Sequence, residues 1–207
     1  MPFSEYNSDQ LDTLTKIKAF LENQPQITID RLRDMTRPYL EFRAVVENFQ
    51  KEYLSDICTV KCFQDMQSAC CNKEGIATFF ADFVVNTINA DETELEVMEE
   101  RLLNGVSGNK CVYLTAGGCL WSYKPIVCEM FLCDHAKTVL KGKGSAYISR
   151  WSQLREEEKK YTWPDKPVLF DELEELFLEK GIESPLMYFH KSPGLLRIKS
   201  GWKTSEV

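Results

Sequence analysis

Cysteines carry most of the chemistry that this sequence could perform, and all eight lie between residues 58 and 133 of a 207-residue chain. They fall into two groups, and the full set is Cys58, Cys62, Cys70, Cys71, Cys111, Cys119, Cys128 and Cys133. Four soft thiolates in a tetrahedral array satisfy either zinc or an iron–sulfur cluster. The sequence therefore predicts one four-cysteine metal centre with ligands drawn from both groups, and all eight cysteines are candidate ligands.

Two other roles for the cysteines stay open. Any single cysteine could be a small core residue, since cysteine is among the most buried residue types, but cores do not usually concentrate eight in a third of the chain. A disulfide framework needs an oxidising compartment, and the N-terminal sequence has no basic patch followed by an apolar run. We therefore expect reduced thiols in a cytoplasmic protein.

The spacing of the cysteines bears on the choice of metal. The adjacent pair Cys70–Cys71 and the uneven intervals elsewhere differ from the paired CxxC knuckles of structural zinc sites. This difference slightly favours an iron–sulfur cluster (4Fe–4S) over zinc. The centre could be structural or redox-active.

Composition excludes some classes of partner. The formal net charge is −7 and the isoelectric point is about 5.1, whereas nucleic acids and anionic membranes select a basic surface. No uninterrupted apolar stretch has transmembrane length. We therefore expect no nucleic-acid and no membrane partner, and an unidentified protein partner stays possible.

The elements that must position the cysteines are mostly helical. Apolar spacing predicts a mainly α protein (α+β), with a small cysteine-rich β-hairpin region that holds the metal centre. We expect an N-terminal helical segment over residues 1–55, a cysteine-rich metal-binding region over 56–140, and a C-terminal helical segment over 141–207 on the same compact domain. In the first segment, helices are expected from Ser8, from Thr28 and over 38–54, while residues 79–88 fit helix or buried strand.

The second cysteine group has its own local signals. CVYL and CLWSY flank TAGG, which predicts a glycine-turn hairpin that carries Cys111 and Cys119. A helix over 91–105 precedes it, and Pro125 suits the first turn of another helix over 125–140. Residues five apart in a helix are rotated by about 140°, so Cys128 and Cys133 share a site only if that helix ends or bends between them.

Histidines and carboxylates offer weaker candidates. His135 follows Cys133 closely and could be a ligand or a nucleophile's base, although no orienting group is evident. His190 is remote and is expected to be structural. The carboxylates of REEEKK and of DELEEL are expected on solvated helix faces, and residues 186–202 are predicted to form a closing hairpin around Ser192-Pro193-Gly194.

The stretch from Lys110 to Phe131 resembles the second half of the YkgJ-type CxxCxxCC family, a zinc- or iron-chelating domain. In that family a C-x-F/Y-L motif, a glycine-turn cysteine and a tyrosine before a proline and a cysteine follow in order. The matching residues here are Cys111, Tyr113, Leu114, Gly118, Cys119, Tyr123, Pro125 and Cys128. Cys58, Cys62 and Cys70–Cys71 resemble the CxxCxxCC cluster with longer gaps, and Lys124 replaces the family's arginine.

The resemblance implies metal or iron–sulfur binding. Flagellin lysine methylases carry a similar cysteine pattern, which implies the alternative of an iron–sulfur-dependent enzyme such as a protein side-chain (lysine) methyltransferase. No glycine-rich nucleotide loop follows a predicted strand in this sequence. Whether the protein is an enzyme therefore stays open at the level of sequence.

Overall fold

The computed structural model describes residues 5–57, 77–106, 111–115, 118–163 and 167–191. Within these ranges the protein is mainly helical with one small hairpin, as the sequence predicts. The elements are α1 (Glu5–Glu22), α2 (Gln26–Ser55), α3 (Phe80–Asn89), α4 (Glu92–Asn104), β1 (Leu114–Thr115), β2 (Gly118–Cys119), α5 (Ile126–Glu129), α6 (Asp134–Lys143), α7 (Ser145–Thr162), α8 (Leu169–Leu178) and α9 (Tyr188–Lys191). Of the helices in these ranges, none combines the length and the apolar character that crossing a bilayer requires.

Helix α3 forms the centre of the fold. It is the stretch for which the sequence left helix and strand open, and residues 80–86 and 88 are all buried. Helices α1, α2 and α8 pack around it, α4 packs on α1, and α7 packs on α6 and α8. The all-round burial explains the ambiguity, because an apolar run with no polar face carries no helical period.

Helix α2 continues through Pro38, so the predicted division into two helices was wrong. A proline inside a helix removes one N–H donor and crowds the preceding turn, which the sequence pattern treats as a boundary. Here Leu32, Tyr39 and Val46 are buried on both sides of the proline and hold the two halves against one core. The Tyr161 hydroxyl also donates to the carbonyl oxygen of Pro38, at 3.1 Å. Tertiary packing therefore outweighs the local signal.

Helix α4 confirms its predicted ends. The Glu94 carboxylate accepts the backbone N–H of Asp91 at 3.2 Å, which fixes the start of the helix. At the other end Gly105 takes φ +64°, a conformation that residues with a Cβ rarely adopt. This helix lies beside the cysteine hairpin.

The C-terminal segment is helical where it is described. Helices α7 and α8 appear as predicted, but residues 188–191 form the short helix α9 and not a strand of the expected hairpin; residues 192–207 lie outside the described ranges. Phe189 packs edge-on against Phe79 and Phe170, which seats α9 on the core. The backbone N–H of Phe80 donates to the carbonyl of Leu186 at 3.1 Å, so this segment reaches the start of α3.

Candidate metal centre

The glycine-turn hairpin forms as predicted, although its strands are shorter than the flanking sequences suggest. Strands β1 and β2 are antiparallel, with Leu114 opposite Cys119 and Thr115 opposite Gly118. Cys119 ends β2 and is exposed, whereas Cys111 precedes β1 and is buried. The hairpin thus carries two thiols.

Helix α4 supports the same hairpin from behind. The guanidinium of Arg101 donates to the carbonyl of Val112 at 3.3 Å and to that of Leu114 at 3.5 Å. Glu94 accepts a hydrogen bond from the Ser122 hydroxyl at 2.7 Å. The hairpin is therefore fixed to α4 at its first strand and just after its second.

The helix predicted over 125–140 is divided in two. Cys128 lies in α5, whereas Cys133 directly precedes α6, so the helix does end between them. The Cys133 sulfur accepts the backbone N–H of Ala136 at 3.4 Å, which caps the first turn of α6. Cys133 therefore has a structural task in the fold, independent of any metal.

Buried polar side chains of α3 hold the segment that leads to Cys128. The Asp82 carboxylate accepts the N–H of Phe79 at 2.9 Å and that of Ile126 at 3.1 Å. The Asn86 amide donates to the carbonyl of Tyr123 at 2.8 Å and accepts its N–H at 3.0 Å. Burial raises the pKa of Asp82 to about 6, although both backbone donors lower it in part. Two polar residues of α3 thus fix the backbone on the N-terminal side of Cys128.

Helix α2 fixes the same segment from the other side. Arg43 donates to the carbonyl of Lys124 at 2.6 Å, and Gln50 donates to the carbonyl of Glu129. The side chains of Arg43 and Glu129 are both buried, and Arg43 Nη2 lies 3.7 Å from Glu129 Oε2. Cys128 therefore lies in a short helix whose backbone is anchored to α2 and α3 on both sides.

Three of the four described cysteines lie close to one buried tyrosine. Burial raises the pKa of Tyr113 well above its usual range, and Tyr6, Cys111, Cys119 and Cys128 raise it further because their ionised forms would repel a phenolate. This electrostatic range includes thiols from before β1, from β2 and from α5. Cys133 is not among them.

A cation lies near the exposed thiol. Lys124 Nζ is 3.6 Å from Glu129 Oε2. Burial lowers the pKa of Lys124, but Glu129 and then Cys119 raise it, and the net shift is upward. Since a nearby positive charge favours the thiolate form of cysteine, Lys124 prepares Cys119 for metal binding or for nucleophilic chemistry.

The described cysteines do not make a complete centre among themselves. Within the described ranges, no group of three or more His, Cys, Asp or Glu side chains has an arrangement that could hold a metal. No disulfide joins any two of Cys111, Cys119, Cys128 and Cys133. The other four predicted ligands, at positions 58, 62, 70 and 71, lie outside the described residues.

A second polar cluster was missed by the sequence interpretation. Asp171 and Glu174 of α8 are buried, not solvated as expected. His190 lies between them, with Nδ1 3.0 Å from Glu174 Oε2 and Nε2 3.4 Å from Asp171 Oδ1. The sequence signal was the three-residue spacing, because positions 171 and 174 fall on the face that also presents the buried Phe170. This cluster fastens α9 to α8, whereas His135 is exposed near the start of α6.

No family model matches this chain, and no curated protein or solved structure is significantly similar to it. The resemblance to the chelating family therefore depends on the cysteine, tyrosine, glycine and proline positions quoted above. Any function has to be argued from the arrangement of these side chains.

Proposed function

We propose that the protein binds a metal centre, an iron–sulfur cluster or zinc, through cysteine thiolates. The observation that carries the proposal is the gathering of Cys111, Cys119 and Cys128 around Tyr113, although they come from three separate positions in the chain. These three are the proposed ligands from the second group. At least one ligand comes from the first group, because four thiolates complete either kind of centre.

The surroundings of the thiols fit a bound metal. Metal binding requires deprotonated cysteines, and the ammonium of Lys124 beside Cys119 favours that form. The backbone around Cys128 is anchored at Ile126 by Asp82 and at Glu129 by Gln50. A ligand held on a fixed backbone loses little conformational freedom when it binds, which is the property that a metal site needs.

The chain can bring the first cysteine group to this place. Thr78 is buried and donates to Gln10 at 2.8 Å, and Gln10 also accepts the Tyr113 hydroxyl at 3.0 Å. Seven residues separate Cys71 from Thr78 in sequence, so their Cα atoms are at most about 25 Å apart. The chain therefore returns from Cys71 to the side chains that surround the second group.

A bound centre would link segments that are distant in the sequence and, as an iron–sulfur cluster, would also accept or donate an electron. Lys124 and the anchored backbone around Cys128 act on the ligands, and each of these roles belongs to the protein itself. The structure offers no further residue in reach of the thiols that would define a substrate.

The test is metal analysis of protein purified without oxygen. We expect one centre per chain, brown if it is iron–sulfur and colourless if it is zinc. The Cys111→Ser and Cys128→Ser variants should lose most of the metal. Cys133→Ser is the matched control and should retain it, because serine caps a helix at least as well as cysteine. Wild-type protein that contains no metal and has eight reactive thiols would overturn the proposal.

A further inference from the structure

The hydroxyl of Tyr6 is the unexplained polar group closest to the candidate metal centre. Its oxygen is shut off from solvent, and it has no hydrogen-bond partner among the described residues. An unsatisfied buried hydroxyl destabilises a protein, so such a group in a native structure needs a reason. An ion or cofactor that completes its hydrogen bonding is one of the recognised reasons.

The nearest polar groups already have their own partners. Gln10 lies one turn after Tyr6 on α1, and its Oε1 accepts both the Thr78 and the Tyr113 hydroxyls. The Thr78 hydroxyl is close enough to Tyr6 to lower the pKa of the phenol in part, but it donates to Gln10. The proton of Tyr6 is thus left without an oxygen acceptor in hydrogen-bonding geometry among the described residues.

Sulfur atoms lie on the remaining side of this hydroxyl. After burial, the largest causes of the raised pKa of Tyr6 are Cys111 and Cys128. These are two of the three thiols that also act on Tyr113. Because Tyr113 Oη is bonded to Gln10, which is four residues from Tyr6, the hairpin and α1 meet at this point.

We propose that Tyr6 donates a hydrogen bond to the metal-bound sulfur of Cys111 or Cys128, and so acts as a positioning residue for the centre. The inference rests on the proposed function. A thiolate bound to a metal keeps lone pairs that accept such a bond, and hydrogen bonds to sulfur raise the reduction potential of iron–sulfur clusters. Groups that orient ligands in this way typically change metal affinity by about 10- to 100-fold when removed.

The experiment compares wild type with Tyr6→Phe, which removes the hydroxyl and keeps the ring. Metal retention is measured against increasing concentrations of a chelator, with the metal present at purification and with Co²⁺ added to metal-free protein. We expect Tyr6→Phe to lose metal at about ten-fold lower chelator concentration or less, and the sulfur-to-cobalt charge-transfer band to move to lower energy. If the centre is an iron–sulfur cluster, its reduction potential should fall.

Stability of the metal-free protein separates this role from a merely structural one. Without metal the Tyr6 hydroxyl has no partner to lose, so Tyr6→Phe should be as stable as wild type or slightly more stable. Tyr161→Phe is the control, because it removes a hydroxyl bonded to the carbonyl of Pro38 and remote from the thiols; its metal retention should not change.

The possible failures are distinguishable. If wild type and Tyr6→Phe bind metal equally tightly with the same charge-transfer band, the inference is wrong and the metal centre stands. If wild type binds neither its native metal nor Co²⁺, the proposed function fails and the inference falls with it. If Tyr6→Phe destabilises the metal-free protein and its metal loss follows that destabilisation alone, the hydroxyl has a structural partner and the inference is overturned.

Discussion

The carboxylate of Asp82 accepts the backbone N–H of Ile126 at 3.1 Å, across 44 residues of sequence. Its other oxygen accepts the N–H of Phe79, so one buried side chain serves the starts of both α3 and α5. Cys128 is two residues beyond this contact. The position of a proposed metal ligand therefore depends on a carboxylate that belongs to the core.

We predict that Asp82 makes stability depend on pH. Burial raises its pKa from the ordinary 3.8 to about 6, so the folded state binds this proton more tightly than the unfolded state. The contribution of Asp82 is greatest below about pH 4, falls as the pH rises through about 6, and is constant above that. Relative to Asp82→Asn, the free energy of unfolding of wild type should fall by about 1–3 kcal/mol between about pH 4 and about pH 7.

Denaturant titrations of both proteins across this pH range measure the difference. The amide of Asp82→Asn can accept only one of the two N–H groups, which adds a destabilisation that does not vary with pH. Asp134→Asn is the control, because the side chain of Asp134 is 98% exposed. A constant difference between wild type and Asp82→Asn across the range would contradict the prediction.

The buried ion pair between Arg43 and Glu129 gives a second prediction. Arg43→Met should lower the free energy of unfolding by about 3–5 kcal/mol, because it leaves the Glu129 carboxylate buried with only Lys124 as a partner. The double variant Arg43→Met/Glu129→Met should recover more than half of that loss, since it no longer buries a charge. Chemical denaturation of the three proteins measures both effects. A double variant that is no more stable than Arg43→Met would show that the loss does not come from the uncompensated carboxylate.

The contact of His190 with α8 gives a third prediction. His190→Ala should destabilise the protein by about 1–3 kcal/mol, because the buried carboxylates of Asp171 and Glu174 lose a hydrogen-bond donor. His135→Ala, which changes an exposed imidazole, should stay within about 0.5 kcal/mol of wild type. Thermal unfolding of both variants tests the difference. Equal effects would mean that the cluster does not hold α9 in place.

The end of α4 gives a fourth prediction. Gly105 has φ +64° and ψ −172°, a region almost confined to glycine, so Gly105→Ala should destabilise the protein by about 1–3 kcal/mol. Gly142→Ala is the matched control: Gly142 lies inside α6 with no atom within 4 Å of the position of a new Cβ. That change should stabilise the protein by about 0.5–1 kcal/mol, because alanine favours a helix. The prediction is wrong if the two variants shift the denaturation midpoint in the same direction.

Local chemistry explains which elements could be predicted from the sequence. Asp91 and Gly105 mark the ends of α4, and TAGG marks the hairpin, because capping and tight turns depend on residues within a few positions. Pro38 shows the limit of this reasoning. Its signal is local, but the continuity of α2 depends on the core that forms on both sides of it.

The supports of the candidate centre could not be predicted, because their partners are far apart in sequence. Arg43 meets the carbonyl of Lys124 across 81 residues, and Tyr113 meets Gln10 across 103. Hydrophobic periodicity assigned faces to helices, but it cannot say which polar side chain of one helix meets which carbonyl of another. The cysteines were predicted from their types and crowding, whereas the side chains around them required the fold.

Helix α1 is made first by the ribosome but receives its partners last. The Thr13 hydroxyl is bonded to that of Ser184, at 2.6 Å and across 171 residues, and Asn7 donates to the carbonyl of Leu102. A domain can complete such contacts only after the later partner has left the exit tunnel. During translation the polar face of α1 therefore waits in solvent until residues beyond 184 have emerged. The nascent chain exposes its early cysteines through this interval, so folding of this protein ends after its synthesis.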